Sequence, residues 1–327
     1  MRVIREEISG GERVLALGTF DGVHRGHQAL LAAGKRYAEE QGILLRACSF
    51  DRHPLEILRP EMAPKLLTTP EEKEELMAAY GADELQLIPF TRETADMAPE
   101  AFLQYLREGG GLRAVVAGWN YTFGKGGKGT ARTLEEDGKA HGYEVMIIPP
   151  VKTAEGETIS STLIRERLRE GRIQEAEVMM GHPFQLRGRV EGGKHIGRRI
   201  GVATANVETD PRKQLPAFGV YPCRVKTEAG IMAAVMNIGV QPTLPSGKVT
   251  VEAHILDGEP ELYGQKVSLF PGDRFRPEKK FDSIEELTEQ IRKDQEAARA
   301  WFQRLQDGKD GRKTDSPAPC VRKTGDV

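Results

Sequence analysis

Short apolar runs alternate with segments of helical periodicity through the first half of the chain. Runs of strand length occur at 14–17, 43–50, 85–89, 114–118 and 145–148. Helical segments of mixed polarity separate them. Repeated strand–helix units predict a mostly parallel sheet that is covered by helices on both faces.

Two helices of this half have clear boundaries in the sequence. Leu30, Tyr37 and Ala38 fall on one face of the first helix, and Gly42 is placed to end it. The segment Thr69-Pro70-Glu71-Glu72 predicts the start of another helix. Thr provides the N-cap, Pro takes the first helical position, and Glu follows three residues after the cap.

The pattern changes near Gly181. Short β-branched runs with frequent Gly and Pro, at 219–225, 232–238 and 249–256, predict an antiparallel barrel or sandwich. A long amphipathic helix follows Ser283, with Glu286 in position to complete a capping box. The expected organisation is an α/β doubly wound domain at 1–181, an antiparallel β-barrel domain with a C-terminal helix at 182–305, and a disordered tail at 306–327.

Composition limits the possible partners. A length of 327 residues is typical of two domains, and a composition of 39% apolar and 29% charged residues is typical of a globular protein. A net charge of −2 provides no general attraction to nucleic acid or to an anionic membrane, and no apolar run approaches the ~20 residues of a membrane span. Three cysteines without a CxxC pair argue against a disulfide framework. We expect a cytoplasmic protein without nucleic-acid or membrane partners, and leave its oligomeric state open.

A segment rich in Gly and His joins the first strand to the first helix. It reads GTFDGVHRGH and occupies 18–27. The free N–H groups and dipole of a helix N-terminus suit a phosphate, and His24 and His27 project on one side of the first turn. Gly26 between them permits close approach of a nucleotide. The alternative is that one histidine caps the helix and the other is a surface residue.

This segment resembles the His-x-Gly-His signature of the nucleotidyltransferase superfamily, which transfers a nucleotidyl group from an NTP to a phosphate and releases pyrophosphate. ISSTLIR at 159–165 resembles the second signature, and GWNYTFG at 118–124 resembles the GxN(Y/F)xFG loop. For 159–165 the alternative is an ordinary helix cap followed by a solvated Arg. Together the three segments resemble the FMN adenylyltransferase half of prokaryotic bifunctional riboflavin kinase/FAD synthetases.

The resemblance assigns roles residue by residue. It implies that charge is stabilised during adenylyl transfer by the catalytic residues His24, His27, Ser161 and Arg165. It implies nucleotide binding by Gly18, Thr19, Phe20, Asp21, Gly26, Asn120, Ser160 and Thr162, with Asn120 also near the flavin.

A second basic, Gly-rich segment at 188–201 precedes Ala203-Thr204-Ala205-Asn206. Alone, the Gly-rich part is equally compatible with a β-hairpin turn. The tetrapeptide resembles the riboflavin kinase motif Pro-Thr-Ala-Asn, with Ala203 in place of Pro. On a strand, Glu252 faces away from its neighbours Val251 and Ala253, so it either accepts a proton from a substrate hydroxyl or faces solvent.

The second resemblance implies a complete kinase site. The residues implied to bind its nucleotide are Gly193, Lys194, Gly197, Thr204 and Asn206, of which Thr204 and Asn206 also bind Mg²⁺. Glu252 would be the general base, and Tyr263 and Arg276 would contact the flavin. The implied activity is ATP-dependent conversion of riboflavin to FMN and then of FMN to FAD. One alternative is nucleotidyl transfer to another small phosphate, but that activity leaves the barrel unexplained. The other is a non-catalytic flavin-binding module, and the retained His, Ser, Arg and Glu residues argue against it.

Overall fold

The computed structural model describes residues 1–5, 11–192, 204–240, 249–258 and 260–307. The chain divides into two compact units, one running from Met1 to Ser161 and the other beginning at Thr162. The helices between Ser161 and Met180 are therefore grouped with the second unit, although the pattern of the sequence changes only near Gly181. The end of a separately folding first domain at 181 stays a prediction.

The first unit contains the predicted alternation of strands and helices. Its strands are β1 (Arg2–Ile4), β2 (Arg13–Leu17), β3 (Leu44–Phe50), β4 (Glu84–Ile88), β5 (Leu112–Gly118) and β6 (Glu144–Ile148). Its helices are α1 (Arg25–Gln41), α2 (Leu55–Leu58), α3 (Pro70–Ala79), α4 (Arg92–Asp96), α5 (Pro99–Arg107) and α6 (Ala131–His141), with 3₁₀ turns at Pro60–Met62 and Lys125–Gly127. Helix α7 (Ser161–Arg169) begins at the last residue of this unit.

The strands form a parallel sheet in the order β1-β4-β3-β2-β5-β6. The chain order reverses on either side of β2, whose neighbours are β3 and β5. In open α/β sheets, ligands bind beyond the carboxyl ends of the strands at such a reversal. The segments that follow Leu17 and Gly118 therefore meet at the edge where a nucleotide is expected.

Helices cover both faces of this sheet. Val14 and Ala16 of β2 belong to one buried cluster, which also contains Leu31 and Ala38 of α1. The intervening Leu15 and Leu17 belong to a second cluster on the opposite face. The predicted doubly wound fold is confirmed, and so are the ends of two helices. Gly42 caps α1 with φ 67°, and Thr69 forms the expected capping box with Glu72 at the start of α3.

The second unit is the predicted barrel. Its strands are β7 (Leu186–Glu191), β8 (Thr204–Thr209), β9 (Gly219–Thr227), β10 (Gly230–Val240), β11 (Val249–Ile255) and β12 (Lys266–Pro271), and its further helices are α8 (Ile173–Met180) and α9 (Ile284–Gln306). The strands close in the order β10-β11-β8-β7-β12-β9, and each pairing is antiparallel.

Side chains alternate between the interior and the exterior of the barrel. On β11, Val251, Ala253 and Ile255 are buried, while Glu252 and His254 are half-buried on the other face. Helix α9 begins after Ser283, whose Oγ accepts a hydrogen bond from the Glu286 backbone N–H at 3.2 Å. Ser283 is thus the predicted cap, although the reciprocal bond of a capping box is not among the described contacts. Within the described ranges, no helix has the length and apolar character needed to cross a bilayer.

Candidate functional sites

The turn between β2 and α1 has a strained backbone. Phe20 and Val23 have φ values of 51° and 36°, in the left-handed region that residues other than glycine rarely occupy. The Asp21 carboxylate holds this turn, because its Oδ1 accepts hydrogen bonds from the backbone N–H groups of Leu67 at 2.8 Å and Thr68 at 3.3 Å. Strain that is held in place by neighbouring contacts is typical of a preorganised site.

The two histidines of the turn are in contact. His24 is the N-cap of α1, and its Nδ1 accepts a hydrogen bond from the His27 backbone N–H at 3.4 Å. The two rings stack with their centroids 3.7 Å apart and their planes at 16°. His24 thus caps the helix, as one part of the alternative has it, whereas His27 is not the surface residue of the other part. Because its Nδ1 is an acceptor, the proton of neutral His24 lies on Nε2.

His27 is held in its neutral form. Burial, followed by the adjacent His24 and Lys73, keeps the pKa of His27 well below its ordinary value. Its Nδ1 is buried and has no hydrogen-bond partner among the described residues. The Phe20 ring packs edge-on with the His27 ring, with the two ring centroids 5.2 Å apart. An unpaired buried donor costs more than an unpaired acceptor site, so the single N–H of His27 belongs on Nε2.

Two glycines of the motif permit close packing. A Cβ on Gly26 would lie 3.1 Å from the His24 ring, and a Cβ on Gly18 would lie 3.2 Å from the Phe20 ring. A Cβ at either position would require the neighbouring ring to shift by a few tenths of an ångström. Phe20 itself is fully buried, so its side chain supports the turn and leaves only its backbone for a ligand.

The second predicted segment reaches the same turn through Ser161. Its Oγ donates a hydrogen bond to the Asp21 carbonyl oxygen at 2.9 Å, which joins two segments that are far apart in the sequence. Ser160 is half-buried beside it. Thr162, which is exposed, and Arg165 belong to the second unit. Arg165 is only 5% exposed, so the alternative of a solvated arginine is wrong.

The third predicted segment lies at the end of the adjacent strand. Asn120 is exposed just beyond the carboxyl end of β5, which is hydrogen-bonded to β2. It is therefore at the same edge of the sheet as Gly18. The topology thus places Asn120 and Gly18 at the same edge of the sheet, and contact of Asn120 with the nucleotide or the flavin stays a prediction.

Two residues that the sequence did not indicate also contact the turn. The Thr19 carbonyl oxygen accepts hydrogen bonds from Ser49 Oγ and from Lys73 Nζ, each at 3.0 Å. Lys73 lies in the first turns of α3, and burial lowers its pKa. A lysine in the first turns of an amphipathic helix is usually a solvated charge, so nothing in the local pattern connected it with Thr19.

A mainly apolar cavity lies beyond the carboxyl end of β4. It encloses about 250 Å³ and its lining includes Ile88, Met97, Phe102 and Tyr105. Helices α4 and α5 and the 89–91 segment contribute its walls. The sequence predicted the adjoining strand but not this cavity, because the cavity depends on how residues from separate elements pack together.

The barrel aligns the second set of predicted residues. Asn206 of β8 lies directly opposite Glu252 of β11, and on its other side it lies opposite Glu191 of β7. Glu252 also lies opposite Asn237 of β10. Directly opposed residues on neighbouring strands project to the same face, with Cβ atoms ~4.5–5.5 Å apart. We call these four residues, Glu191, Asn206, Glu252 and Asn237, the transverse row.

The chemistry of this face suits a magnesium–nucleotide complex. Thr204 and Asn206 are two residues apart on β8, so both project outward and offer oxygen ligands. Within the described ranges, no group of three or more His, Cys, Asp or Glu is arranged to hold a metal. Mg²⁺ commonly binds one or two protein oxygens together with water and substrate phosphates, so Thr204 and Asn206 fit this ion without a larger cluster.

The remaining predicted kinase residues differ in how far they can be placed. Gly193, Lys194 and Gly197 lie outside the described residues. Tyr263 is 69% exposed, and a Cβ on Gly192 would lie 3.2 Å from its ring, so Tyr263 lies against the start of the predicted Gly-rich segment.

Arg276 is engaged by the terminal helix. Its Nε and Nη2 both donate to the Asp294 carboxylate of α9, at 3.0 and 2.7 Å. Any contact of Arg276 with the flavin would therefore come from a guanidinium that is already oriented by an ion pair.

The two folds and their sites define a two-domain transferase that combines a nucleotidyltransferase sheet with a kinase barrel. Comparison with family models agrees, since the FAD synthetase model matches residues 7–163 and the riboflavin kinase model matches residues 180–302. The chain belongs to the bifunctional riboflavin kinase/FMN adenylyltransferase family. It phosphorylates riboflavin to FMN with ATP and adenylylates FMN to FAD with a second ATP.

Relatives that bear this family name match nearly the whole chain. The Bacillus subtilis protein is 36% identical over 309 residues, covering 93% of this chain and 96% of its own. The Listeria monocytogenes protein is 34% identical, covering 93% of this chain and 97% of its own. The Escherichia coli K12 protein is 33% identical over 299 residues, covering 88% of this chain and 92% of its own.

A solved structure is also similar. A Streptococcus pneumoniae protein described as a macrolide-efflux protein has a TM-score of 0.83 and 31% identity, covering 92% of this chain and 100% of its own. This likeness extends over both units, so the combination of parallel sheet and barrel also occurs in an experimental structure.

Proposed function

We propose that adenylyl transfer takes place at the turn formed by residues 18–27 and that riboflavin is phosphorylated at the transverse row of the barrel. The observation that carries the first assignment is the stacked pair of His24 and His27 at the N-terminus of α1, in which burial keeps His27 neutral. The pair lies where the order of the parallel strands reverses. Hydrogen-bond donors and a helix dipole then point to the edge of the sheet at which nucleotides bind.

At this turn, an oxygen of the FMN phosphate attacks the α-phosphorus of ATP. The new P–O bond forms as the bond from the α-phosphorus to the bridging oxygen breaks, and pyrophosphate leaves with that electron pair. His24 and His27 each donate from Nε2 to phosphoryl oxygens on which charge increases. Ser161 supports the turn through Asp21, and the resemblance assigns Arg165 to the phosphates.

The rest of the turn holds the nucleotide mainly through its backbone. Gly18, Thr19 and Phe20 offer main-chain groups, and Gly26 adds no side chain beside the His24 ring. The Asp21 carboxylate is occupied by Leu67 and Thr68, so its part is to hold the turn in shape. The proposal keeps the nucleotide contacts that the resemblance implies for Asn120, Ser160 and Thr162.

The apolar cavity beyond β4 is suited to the ring system of FMN. Met97, Phe102 and Tyr105 offer apolar and aromatic surface, and Asn120 is placed at the end of another strand of the same sheet. Planar aromatic ligands are typically buried in such mainly apolar pockets, with a few polar groups fixing their orientation. We assign the flavin of the adenylylation reaction to this cavity.

At the barrel, Glu252 accepts the proton of the riboflavin 5′-hydroxyl as that oxygen attacks the γ-phosphorus of ATP. The bond from the γ-phosphorus to ADP breaks, and ADP leaves. Thr204 and Asn206 hold the magnesium–nucleotide complex, in which Mg²⁺ neutralises charge on the phosphates. The resemblance assigns Gly193, Lys194 and Gly197 to the nucleotide, and Tyr263 and Arg276 to the flavin.

We place these reactions in the cytoplasm. Cys48 and Cys223 are free thiols, and both are buried. Unpaired cysteines are usual in a reducing compartment.

A mixing experiment tests the two assignments together. We expect the variant His27→Ala to form FMN from riboflavin and stop there, and Glu252→Gln to form FAD only from added FMN. A mixture of the two full-length variants should convert riboflavin to FAD with ATP and Mg²⁺, since FMN released by one is used by the other. EDTA should stop FMN formation, and Mg²⁺ should restore it. A mixture that yields FMN but no FAD would contradict the assignment to two separate sites.

A further inference from the structure

Lys73 is fixed against the turn of the adenylyl-transfer site by its position on α3. The preceding residues Leu67 and Thr68 are tied to Asp21, and Thr69 caps the helix. The Lys73 backbone N–H then donates to the Thr69 carbonyl at 2.9 Å, and its Nζ reaches the Thr19 carbonyl at 3.0 Å. The side chain of Lys73 thus contacts the segment that contains His24 and His27 directly, and its backbone is linked to that segment through residues 67–69.

The charge of Lys73 is not neutralised by an ion pair. Among the described residues, no carboxylate oxygen lies within 4.0 Å of its Nζ, and its hydrogen-bond acceptor is a neutral carbonyl. Lys35 offers a contrast, because that half-buried lysine is paired with Asp83 at 3.0 Å. Withdrawing an ammonium group from water is unfavourable unless another charge compensates it. Burial lowers the pKa of Lys73 more than the carboxylates of Asp21 and Glu56, both beyond 4.0 Å, raise it, so these carboxylates compensate the charge only in part.

An anionic ligand at the turn would provide that compensation. The buried, neutral imidazole of His27 contributes a hydrogen-bond donor but no positive charge, whereas ATP and FMN both bring charged phosphates. A lysine serves as a point charge for phosphate groups and has three N–H donors, of which the Thr19 carbonyl uses one.

We propose that Lys73 is a further catalytic residue of adenylyl transfer, whose ammonium group binds a phosphoryl oxygen of ATP or FMN beside His24 and His27. This inference rests on the proposed location of adenylyl transfer. It differs from a structural role, in which Lys73 would act only by holding the Thr19 carbonyl. Ser49 donates to that same carbonyl oxygen at 3.0 Å and has no charge, so it provides a matched control.

The test compares Lys73→Gln, Lys73→Arg and Ser49→Ala in the full chain. Gln retains a donor for the Thr19 carbonyl but removes the charge, and Arg retains the charge. We expect Lys73→Gln to lower kcat/KM for FAD formation by about 100-fold, as for loss of one preorganised donor to a transition state. Lys73→Arg should recover most of that loss, and Ser49→Ala should stay within a few-fold of the unsubstituted protein.

Separate titrations identify the phosphate that is bound. A rise in KM for ATP assigns Lys73 to the triphosphate, a rise in KM for FMN assigns it to the attacking phosphate, and a fall in kcat alone assigns it to the transition state. The rate of riboflavin phosphorylation and the melting temperature, measured on the same preparations, report whether each variant is folded.

Two results would overturn the proposal. One is an unchanged rate of FAD formation in folded Lys73→Gln. The other is an equal loss in Ser49→Ala and Lys73→Gln, which would show that only the hydrogen bonds to Thr19 matter. His27→Ala is measured in parallel: if it is inactive while Lys73→Gln is fully active, the site stands and only the role of Lys73 fails. If His27→Ala is also active, the proposed site itself is wrong.

Discussion

The two proposed sites are built in different ways. The turn at 18–27 depends on strained backbone at Phe20 and Val23, a buried carboxylate and two stacked imidazoles. The transverse row depends on strand register, which brings Asn206 and Glu252 together from β8 and β11. In the first site a local turn places the reactive groups, and in the second the closed barrel does so. Local packing should therefore control adenylyl transfer more strongly, and single side chains should control the kinase.

The largest effect should come from Glu252→Gln. The amide keeps the size and one acceptor oxygen of the carboxylate but cannot accept the hydroxyl proton, and a general base contributes about 10²–10⁴-fold. We expect FMN formation to fall by that factor while FAD formation from added FMN is unchanged. Both rates and the melting temperature are measured on one preparation.

Glu208→Gln is the matched control, because Glu208 is an exposed carboxylate on neighbouring β8. It should leave both rates unaltered. If Glu252→Gln retained its kinase rate, Glu252 would not be the base. If both activities fell together with the melting temperature, its role would be structural.

His27→Ala should have the next largest effect. Removing one preorganised donor to a developing charge typically lowers the rate by about 10²–10³-fold. We expect that loss in FAD formation, with FMN formation preserved. His141→Ala is the control, since His141 is an exposed histidine at the end of α6. An adenylyltransferase rate within a few-fold of the unsubstituted protein would show that His27 only packs against Phe20.

A smaller effect should follow from Thr69→Ala. The Thr69 side chain accepts the Glu72 N–H at 3.3 Å, and loss of such a cap destabilises a helix by about 0.5–2 kcal/mol. Because α3 also carries Lys73, we expect a lower melting temperature of the first unit and a modest fall in FAD formation. Denaturant unfolding and both rates measure this. A kinase rate that fell to the same extent would contradict a local effect.

The sequence predicted the elements of the fold better than the contacts of the sites. Periodicity located β2 to β6, and capping rules located the start of α3, because both signals are local. Strand β1 was missed, since a three-residue edge strand leaves almost no pattern. The motifs identified His24, His27 and Glu252, but not Lys73 or Ser49, whose significance comes only from the carbonyl that they share.

The sequence also did not predict the surroundings of two buried side chains. The pattern left open whether Arg165 is solvated, and in the fold it is buried. Asp21 was expected among the nucleotide ligands, yet its carboxylate accepts hydrogen bonds from backbone groups of a segment more than forty residues away. Such contacts depend on the packing of distant elements, which residue spacing alone does not encode.

The central claim is that each reaction has its own site, one before and one after the change of pattern near Gly181. The most direct measurement gives a fragment of residues 1–181 either FMN or riboflavin, with ATP and Mg²⁺, and separates the flavin products. This fragment retains the turn, Ser161 and Arg165 but lacks the strands of the barrel. We predict FAD from FMN and no FMN from riboflavin. A folded fragment that phosphorylates riboflavin would contradict the account.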